Sequence, residues 1–402
     1  MNLVLGFWLA LLPAISPGQP ALAPAGRMRE DRELERRVVA IHRKLAGLAP
    51  GTPQARHVAR DLEEVGRIYL ECGETGRSIE LLEESYALDG ENGLALAELT
   101  LAYVRAENFP FARFYLELAE RHAPKAPPEA YAALGEVYDA LNRLDDAVLA
   151  WEQFQRLGGD DPWILQRIAR ARQELSVVHG QRLAQAESFV LYADAAIPAD
   201  AVERVAEHLE KSYQKQSVFF GACLPSSQVV VLYAGRAYFS LVSVPEWVSG
   251  VFDGKIRVSV DSDSSVTPLL QAVLSHELAH ALIRQASADR APGWLHEGLA
   301  QWLEGRRLTR RDFQSIFAGH RPLAFSELES LFARPQSRAD ARRHYAQMLG
   351  FVEYLIARRG EGAVACLVRG FADGDSADEI LRRETGLTRE ALAAGWKSWA
   401  GL

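Results

Sequence analysis

The sequence has few cysteines and no run of basic residues. Its three cysteines, Cys72, Cys223 and Cys366, lie far apart, which excludes a disulfide framework and any Cys-x-x-Cys metal or redox motif. They are expected to be small buried core residues, and one disulfide with a leftover thiol stays open for an exported chain. The net charge is only −8, so nothing in the sequence indicates a nucleic-acid partner.

The remaining composition is that of an ordinary globular protein. Hydrophobic residues make up 48% of the sequence and charged residues 24%, which leaves enough apolar surface for a sizeable core. A length of 402 residues exceeds one ordinary core and predicts two or three domains.

The first residues indicate export. Leu3–Ile15 is an apolar run of signal-peptide length, too short for a comfortable membrane span, and Ala21–Ala23 supplies a small-x-small cleavage site. No Lys or Arg precedes the run, whereas Arg27, Arg29 and Arg32 follow it, which departs from a standard secretory signal. Residues 1–23 are therefore read as a signal peptide, with an uncleaved anchor or a misassigned start as alternatives.

A repeat of 34 and then 35 residues occupies residues 27–178. Four columns carry it: Gly66, Thr100 and Gly135; Tyr69, Tyr103 and Tyr138; the small residues Ser78, Ala112 and Ala147; and the large apolar residues Leu82, Leu116 and Trp151. The period resembles the tetratricopeptide repeat, a helix-turn-helix unit, and three stacked units bury a continuous core. Helices over Arg29–Leu48 and Pro162–Leu175 are expected to close the two ends. These helices are either scaffold alone or also a concave surface for a peptide or partner protein.

The pattern changes near residue 180 to a small α+β lobe followed by helices. Ser188–Tyr192 and Gln228–Tyr233 are nearly continuous in apolar character, as in a covered sheet, with a helix over Asp200–Lys215 between them. Lys255–Val260 alternates apolar and polar residues, as a half-exposed strand does. From Pro268 onward the chain is expected to be helical. The fold class predicted for the whole chain is α+β, mostly α.

One short motif carries metal chemistry. The segment His276-Glu277-Leu278-Ala279-His280 has the form H-E-x-x-H, and Thr267 and Pro268 are a good cap and first residue for its helix. His276 and His280 are four residues apart, so both imidazoles leave one face of the helix and can occupy two corners of a zinc tetrahedron. Glu277 is rotated by about 100°, beside the metal rather than on it.

A third ligand is expected from the segment Pro292–Trp302 (PGWLHEGLAQW). Pro292 and Gly293 form a turn before a second helix, which places Glu297 near its start. A third protein ligand leaves the fourth position for water, as a catalytic zinc site requires. His296 is the alternative ligand, because neighbouring helical residues point about 100° apart and only one can face the metal.

The HELAH and WLHEGLAQW segments resemble the gluzincin metallopeptidases, most of all bacterial peptidase-MA-like domains that follow tetratricopeptide repeats. The resemblance covers about residues 180–402. It implies one zinc ion per chain on His276, His280 and Glu297, with 16 residues between the last two. It also implies that the strand Lys255–Val260 forms the substrate edge of the cleft.

The resemblance further implies how the site works. Glu277 is the general base for a zinc-activated water, and a donor from the C-terminal lobe stabilises the oxyanion. Tyr345 is the candidate donor, with His344 as the second choice, and the other reading of Tyr345 is a core aromatic residue. Gluzincins of the thermolysin type carry an Asp four residues after the ligand Glu to orient a zinc-binding His. Here Gln301 stands in that position and would accept from the His less strongly.

Two functions are consistent with these expectations. The first is a zinc metallopeptidase, more in keeping with an endopeptidase because no amine-binding motif is evident, whose repeats dock a peptide substrate or protein partner. The second is a non-catalytic assembly scaffold that retains the zinc site. Export would place either protein in the periplasm, or on the inner membrane facing it, where only an uncleaved N-terminal segment would contact the membrane.

Overall fold

A computed structural model describes residues 5–7, 24–45, 47–106, 108–122, 127–177, 180–224, 227–236, 238–239, 248–261, 266–325, 327–328, 338–373 and 375–402. The chain divides into two compact units. One is Leu12–Val177, and the other is Val178–Leu402 together with Met1–Leu11. The expected leader, residues 1–23, lies outside the described residues except for a three-residue strand at Leu5–Phe7.

The first unit is a series of antiparallel helices. They are α1 (Pro24–Leu45), α2 (Pro53–Glu71), α3 (Thr75–Leu88), α4 (Gly93–Arg105), α5 (Phe109–His122), α6 (Pro128–Ala140), α7 (Leu144–Arg156) and α8 (Pro162–Val177). The pairs α2–α3, α4–α5 and α6–α7 are the three predicted repeats. The small-residue columns explain their close packing. A Cβ on Gly66 would lie 2.9 Å from Leu82 Cγ, and one on Gly135 would lie 2.1 Å from Trp151 Nε1.

The tyrosine column links each repeat to the helix before it. Each hydroxyl donates to a glutamate: Tyr69 to Glu35 at 3.0 Å, Tyr103 to Glu83 at 2.6 Å and Tyr138 to Glu120 at 2.7 Å. Burial, together with the hydrogen bond to Glu35, raises the pKa of Tyr69 to about 12. The rings therefore fill the gap between helices and also satisfy their polar ends.

Two glutamates are buried on the first helices of the first two repeats. Glu63 on α2 is 8% exposed, and Glu98 on α4 is 4% exposed. Arg67 Nε lies 3.9 Å from Glu63 Oε1 and 3.4 Å from Glu98 Oε1. Burial nevertheless raises the pKa of Glu63 to about 7 and the pKa of Glu98 well above its usual value.

The second unit contains a small sheet. Its strands are β1 (Leu5–Phe7), β2 (Gln181–Gln185), β3 (Phe189–Asp194), β4 (Gln228–Ala234), β5 (Val248–Phe252) and β6 (Ile256–Val260), and in the described part of the chain their order is β1-β5-β6-β4-β3-β2. β3, β4 and β6 run parallel, β2 and β5 pair antiparallel with β3 and β6, and β1 pairs parallel with β5. The helix α9 (Ala199–Phe220) connects β3 to β4.

The prediction that Lys255–Val260 is a half-exposed substrate edge is wrong. β6 pairs with β4 on one side and β5 on the other, and all of its residues are buried. Its polar residues face buried partners instead of solvent. Arg257 Nε donates to Asp253 Oδ2 at 3.1 Å, and its guanidinium also bonds the Tyr233 hydroxyl.

Helices form the rest of the second unit, as expected. They are α10 (Pro268–Ala286), α11 (Gly293–Leu303), α12 (Arg310–Ile316), α13 (Arg338–Arg359), α14 (Glu361–Gly370), α15 (Ala377–Thr385) and α16 (Arg389–Ala400), with a 3-10 turn at Phe371–Asp373. α10 packs on α9, α11, β5 and β6, which buries it on nearly every side. The mostly α fold with a small sheet is thereby confirmed.

The cysteines do not lie in the core. Cys72 and Cys223 are exposed, Cys366 is half-buried, and none of these three described residues forms a disulfide. The expectation of burial is wrong because Cys72 caps the end of α2 and Cys223 follows the end of α9. Of the helices that the structure describes, none has the length and apolarity needed to cross a membrane.

The buried Glu63 predicts a pH-dependent stability. Its folded pKa of about 7 exceeds the ordinary 4.5, so the unfolded chain loses this proton first and stability falls between these pH values. Glu63→Gln should therefore stabilise the protein at pH 8 by about 1–3 kcal/mol and have little effect at pH 4. Thermal unfolding at both pH values checks this, with the exposed Glu91→Gln as control. Equal effects of Glu63→Gln at both pH values would contradict it.

Candidate metal and catalytic site

The H-E-x-x-H motif lies in the buried half of α10. Thr267 caps the helix by accepting from the Leu270 amide at 3.1 Å, and Pro268 is its first residue, as predicted. His276, Glu277 and His280 are all 0% exposed. The motif is therefore held on a rigid helix with neighbours on every side.

Glu297 on α11 meets both motif histidines. Its Oε2 lies 3.4 Å from His276 Nε2 and its Oε1 lies 3.6 Å from His280 Nε2. One ligand atom from each of the three residues lies within 4.8 Å of the others, and no other such group of His, Cys, Asp or Glu occurs among the described residues. The structure thus brings together the three residues that the sequence indicated as metal ligands.

These donors fit a zinc ion. His276 Nε2 and His280 Nε2 are buried, and neither has a hydrogen-bond partner in the described part of the chain. Buried polar atoms are normally partnered, because an unpaired one carries a desolvation cost. Two imidazole nitrogens and one carboxylate around a common point form a donor set that zinc prefers in catalytic sites.

The two histidines have opposite electrostatic surroundings. Burial lowers the pKa of His276, but the carboxylates of Glu304 and Glu297 outweigh burial and raise it well above its usual value. Burial and the charge of His276 lower the pKa of His280 well below its usual value. His280 is therefore a neutral imidazole, the form that binds a metal.

Glu304 orients His276. Its Oε2 lies 2.7 Å from His276 Nδ1, which leaves Nε2 of the same ring to face Glu297. A carboxylate in this position fixes the ring and raises the basicity of the metal-binding nitrogen. The sequence analysis missed Glu304, although its distance of seven residues from Glu297 puts both on one helix face and could have indicated it.

Gln301 does not contact a histidine, so the expectation that it orients one is wrong. Its Nε2 donates to the backbone oxygens of Glu297 and Tyr345, each at 3.0 Å. Its Oε1 accepts from Arg306 Nη1 at 2.8 Å. Both of its polar atoms are therefore engaged, and its bond to the Tyr345 backbone ties α11 to α13.

Glu277 lies between the ligands and β5. It is fully buried, and neither of its carboxylate oxygens has a hydrogen-bond partner among the described residues. Burial raises its pKa well above the usual value, and Glu297 adds to this against the effect of His276. Gly250 of β5 leaves room for it, since a Cβ there would lie 2.6 Å from Glu277 Oε1.

Tyr345 and His344, the two expected oxyanion donors, have different charged neighbours. Burial raises its pKa well above the usual value, and the charges of Glu297 and Glu277 raise it further. His344 is half-buried, and burial lowers its pKa while its charged neighbours are Asp340 and Arg343. Of these two residues, Tyr345 is therefore the one whose pKa the charges of Glu297 and Glu277 raise.

His296 packs beside the ligands without converging on them. Its ring stacks on that of His280 with centroids 5.7 Å apart and planes tilted by 28°. Burial lowers its pKa to about 3. It belongs to no group of converging ligand atoms, whereas Glu297 does.

A polar cluster that the sequence did not indicate joins α9 to α10. His208 Nε2 lies 2.9 Å from Ser275 Oγ, and Gln216 Nε2 donates to the Ser275 backbone oxygen at 2.9 Å. Ser275 directly precedes His276. These contacts fix the rotation of α10 and with it the direction of the motif side chains.

Comparisons with known proteins agree with this architecture. Residues 224–401 match the family model Peptidase_MA_2, described as the peptidase MA superfamily. No curated protein matches the chain. This match confirms the resemblance of the C-terminal part of the chain to peptidase-MA-like domains.

Solved structures of helical repeats are among the matches to this chain. The NMR structure of the first TPR domain of human RPAP3 is 23% identical, with a TM-score of 0.27, and the match covers 30% of this chain and 94% of that one. The first TPR of Spaghetti (RPAP3) bound to the HSP90 peptide SRMEEVD is 23% identical, with a TM-score of 0.26, covering 29% and 93%. At such TM-scores these likenesses carry no argument about function.

The role of Glu304 is testable by metal affinity. Glu304→Gln should lower zinc affinity by about 10–100-fold, because the amide orients His276 without the charge of the carboxylate. Gln301→Ala should lower thermal stability and lower zinc affinity less than Glu304→Gln does, because Gln301 acts on the ligands only through the packing of α11 on α13. Competition with a chromophoric chelator measures both. A larger loss of affinity in Gln301→Ala than in Glu304→Gln would refute this assignment.

Proposed function

We propose that the C-terminal unit is a zinc-dependent peptidase. His276, His280 and Glu297 would hold one zinc ion, and Glu277 would act as general base. The observation that carries the proposal is the convergence of three buried ligand atoms beside a buried, unpartnered carboxylate. The match of residues 224–401 to the peptidase MA superfamily supports it.

A zinc ion bound there would supply Lewis acidity, which makes a bound water acidic and polarises a substrate carbonyl. Glu277 then accepts a proton at its carboxylate and donates it to the leaving amine. Its burial suits this exchange, since a raised pKa lets the carboxyl hold the proton between the two transfers. The exclusion of bulk water also strengthens every electrostatic contact in the site.

Tyr345 would stabilise the negative charge that develops on the substrate oxygen. Its raised pKa keeps the phenol protonated at neutral pH, so the hydroxyl is a hydrogen-bond donor. The α13 helix that carries it is tied to α11 by the Gln301 bond to the Tyr345 backbone. The donor and the ligand Glu297 are thereby held in a fixed relation.

An extended substrate would lie along β5 instead of β6. β5 is the strand beside Glu277, and its outer edge already accepts another segment, because Leu5 and Phe7 of β1 pair with Val248 and Val251. We propose cleavage of internal peptide bonds, since the sequence shows no motif for a free amino terminus. The helical repeats would dock the substrate or a partner protein, and export to the periplasm would be directed by the N-terminal segment.

A second candidate function is an assembly scaffold that keeps zinc without cleaving peptides. The observation that favours it is at His280, whose Nδ1 has no hydrogen-bond partner among the described residues. A metal-binding histidine without an orienting partner is weaker as a ligand than one held as His276 is. In this function the zinc ion would only stabilise the packing of α10 on α11.

The test compares the full chain with Glu277→Gln, which keeps the shape of the side chain and removes the base. Both proteins should bind one zinc ion per chain, and the variant should cleave casein or a quenched peptide library about 10²–10⁴-fold more slowly. Elemental analysis and fluorescence measure the two quantities. Full zinc without cleavage in either protein would leave the scaffold function, and absence of zinc from both would reject both functions.

Gly250 gives a separate test of the position of Glu277. In Gly250→Ala the new Cβ would lie 2.6 Å from both Glu277 Oε1 and Val273 Cγ1, so the carboxylate must move. Peptide hydrolysis should fall by at least about tenfold, because a misplaced base loses much of its effect. Zinc content should stay at one per chain. Gly362→Ala on α14, where a Cβ would meet nothing within 4 Å, is the control, and unchanged hydrolysis in Gly250→Ala would contradict the placement.

A further inference from the structure

The first helices of the three repeats carry a cluster of glutamates, here called the acidic face: Glu63 and Glu71 on α2, Glu98 on α4 and Glu129 on α6. Glu63 and Glu98 are buried, whereas Glu71 and Glu129 are exposed. The four lie close enough to interact. Beside burial, the charge of Glu129 raises the pKa of Glu63, and the charges of Glu63 and Glu71 raise the pKa of Glu98. The acidic face thus has two buried carboxylates at its floor and two exposed carboxylates at its rim.

One arginine forms ion pairs with three of the four glutamates of the acidic face. Arg67 Nη1 lies 3.1 Å from Glu71 Oε1, and its Nε lies 3.4 Å from Glu98 Oε1 and 3.9 Å from Glu63 Oε1. A single positive charge is therefore shared by three carboxylates. Burial still outweighs the charge of this guanidinium at Glu63 and Glu98, because the pKa of both carboxyls stays raised.

One carboxylate oxygen of Glu98 has no hydrogen-bond donor among the described residues. Glu98 is 4% exposed, and this oxygen is its Oε2. A buried carboxylate oxygen without a donor is unfavourable, because folding removes its water without replacement. A donor with positive charge would satisfy it.

The geometry favours an organic cation over a metal ion. Divalent cations need several oxygen ligands around one point. Among the described residues only His276, His280 and Glu297 converge in that way, so the carboxylates of the acidic face are too dispersed. A guanidinium group presents five N–H donors in a plane and can bond separated carboxylates at once.

We propose that the acidic face binds an arginine side chain of an extended segment of a partner or substrate protein. The guanidinium would enter past Glu71 and Glu129 and donate hydrogen bonds to Glu98 and Glu63 at the floor of the acidic face. This deepens the docking role given to the repeats under the proposed function and does not depend on peptide cleavage. The proposed ligand of the acidic face is thus a basic segment of a protein.

Binding of short labelled peptides tests this proposal. The full chain carrying Glu277→Gln, so that no probe is cut, is titrated with fluorescein-labelled Gly-Ser peptides that contain arginine, glutamate or no charge. Fluorescence anisotropy should show binding of the arginine peptide alone. Glu98→Gln and Glu63→Gln should each weaken it about tenfold or more, because each removes a buried charge-assisted hydrogen bond. Glu91→Gln, an exposed glutamate outside the face, should not.

Arg67→Gln should have the opposite effect on the affinity for the arginine peptide. It removes the competing guanidinium, so the arginine peptide should bind more tightly than to the parent protein. Circular dichroism confirms that each variant is folded. Equal binding of all three peptides, or insensitivity to both Glu98→Gln and Arg67→Gln, would overturn the proposal. Thermal stabilisation by calcium alone that is lost in Glu98→Gln would also overturn it, in favour of a metal site.

Discussion

The close approach of α11 to α13 is the constraint on which the site depends. A Cβ on Gly298 would lie 2.5 Å from the Met348 backbone oxygen, so only glycine lets the two helices come this near. Gln301 adds a hydrogen bond to the Tyr345 backbone one turn along. Together these contacts set the rotation of α11, and the rotation points Glu297 at His276 and His280. The third ligand is thus placed by helix packing and not by its own contacts.

The charges of the site balance one another in two layers. Glu297 faces both histidines, and Glu304 lies behind His276 on its other nitrogen. Burying so many ionisable groups is unfavourable unless each has a partner of opposite charge. A cation at the common point of the three ligands would complete the inner layer. Glu277 faces β5, where Gly250 leaves room for it and no described residue donates a hydrogen bond to it, and the proposed base requires such a position.

Local periodicity made part of the site predictable from the sequence, whereas the features that depend on packing were missed. The spacing of His276 and His280 is enough to put them on one face, because an α-helix has a fixed repeat. Glu304 was missed because its role depends on how α11 rotates against α10. The exposed edge at Lys255–Val260 was wrong because alternation cannot distinguish solvent from a buried polar layer, here Arg257 with Asp253 and Tyr233.

Both units contain a buried carboxylate with an unsatisfied oxygen, and they differ in the cation nearby. Glu277 has two histidines and an expected metal beside it, and its lack of a hydrogen-bond donor fits a group that exchanges protons. Among the described residues, Glu98 forms an ion pair with Arg67, which it shares with Glu71 and Glu63. The same physical cost therefore has a different consequence in each unit. On the two proposals, the carboxylate beside the metal site would serve as a base, whereas the one beside the shared arginine would bind a second cation.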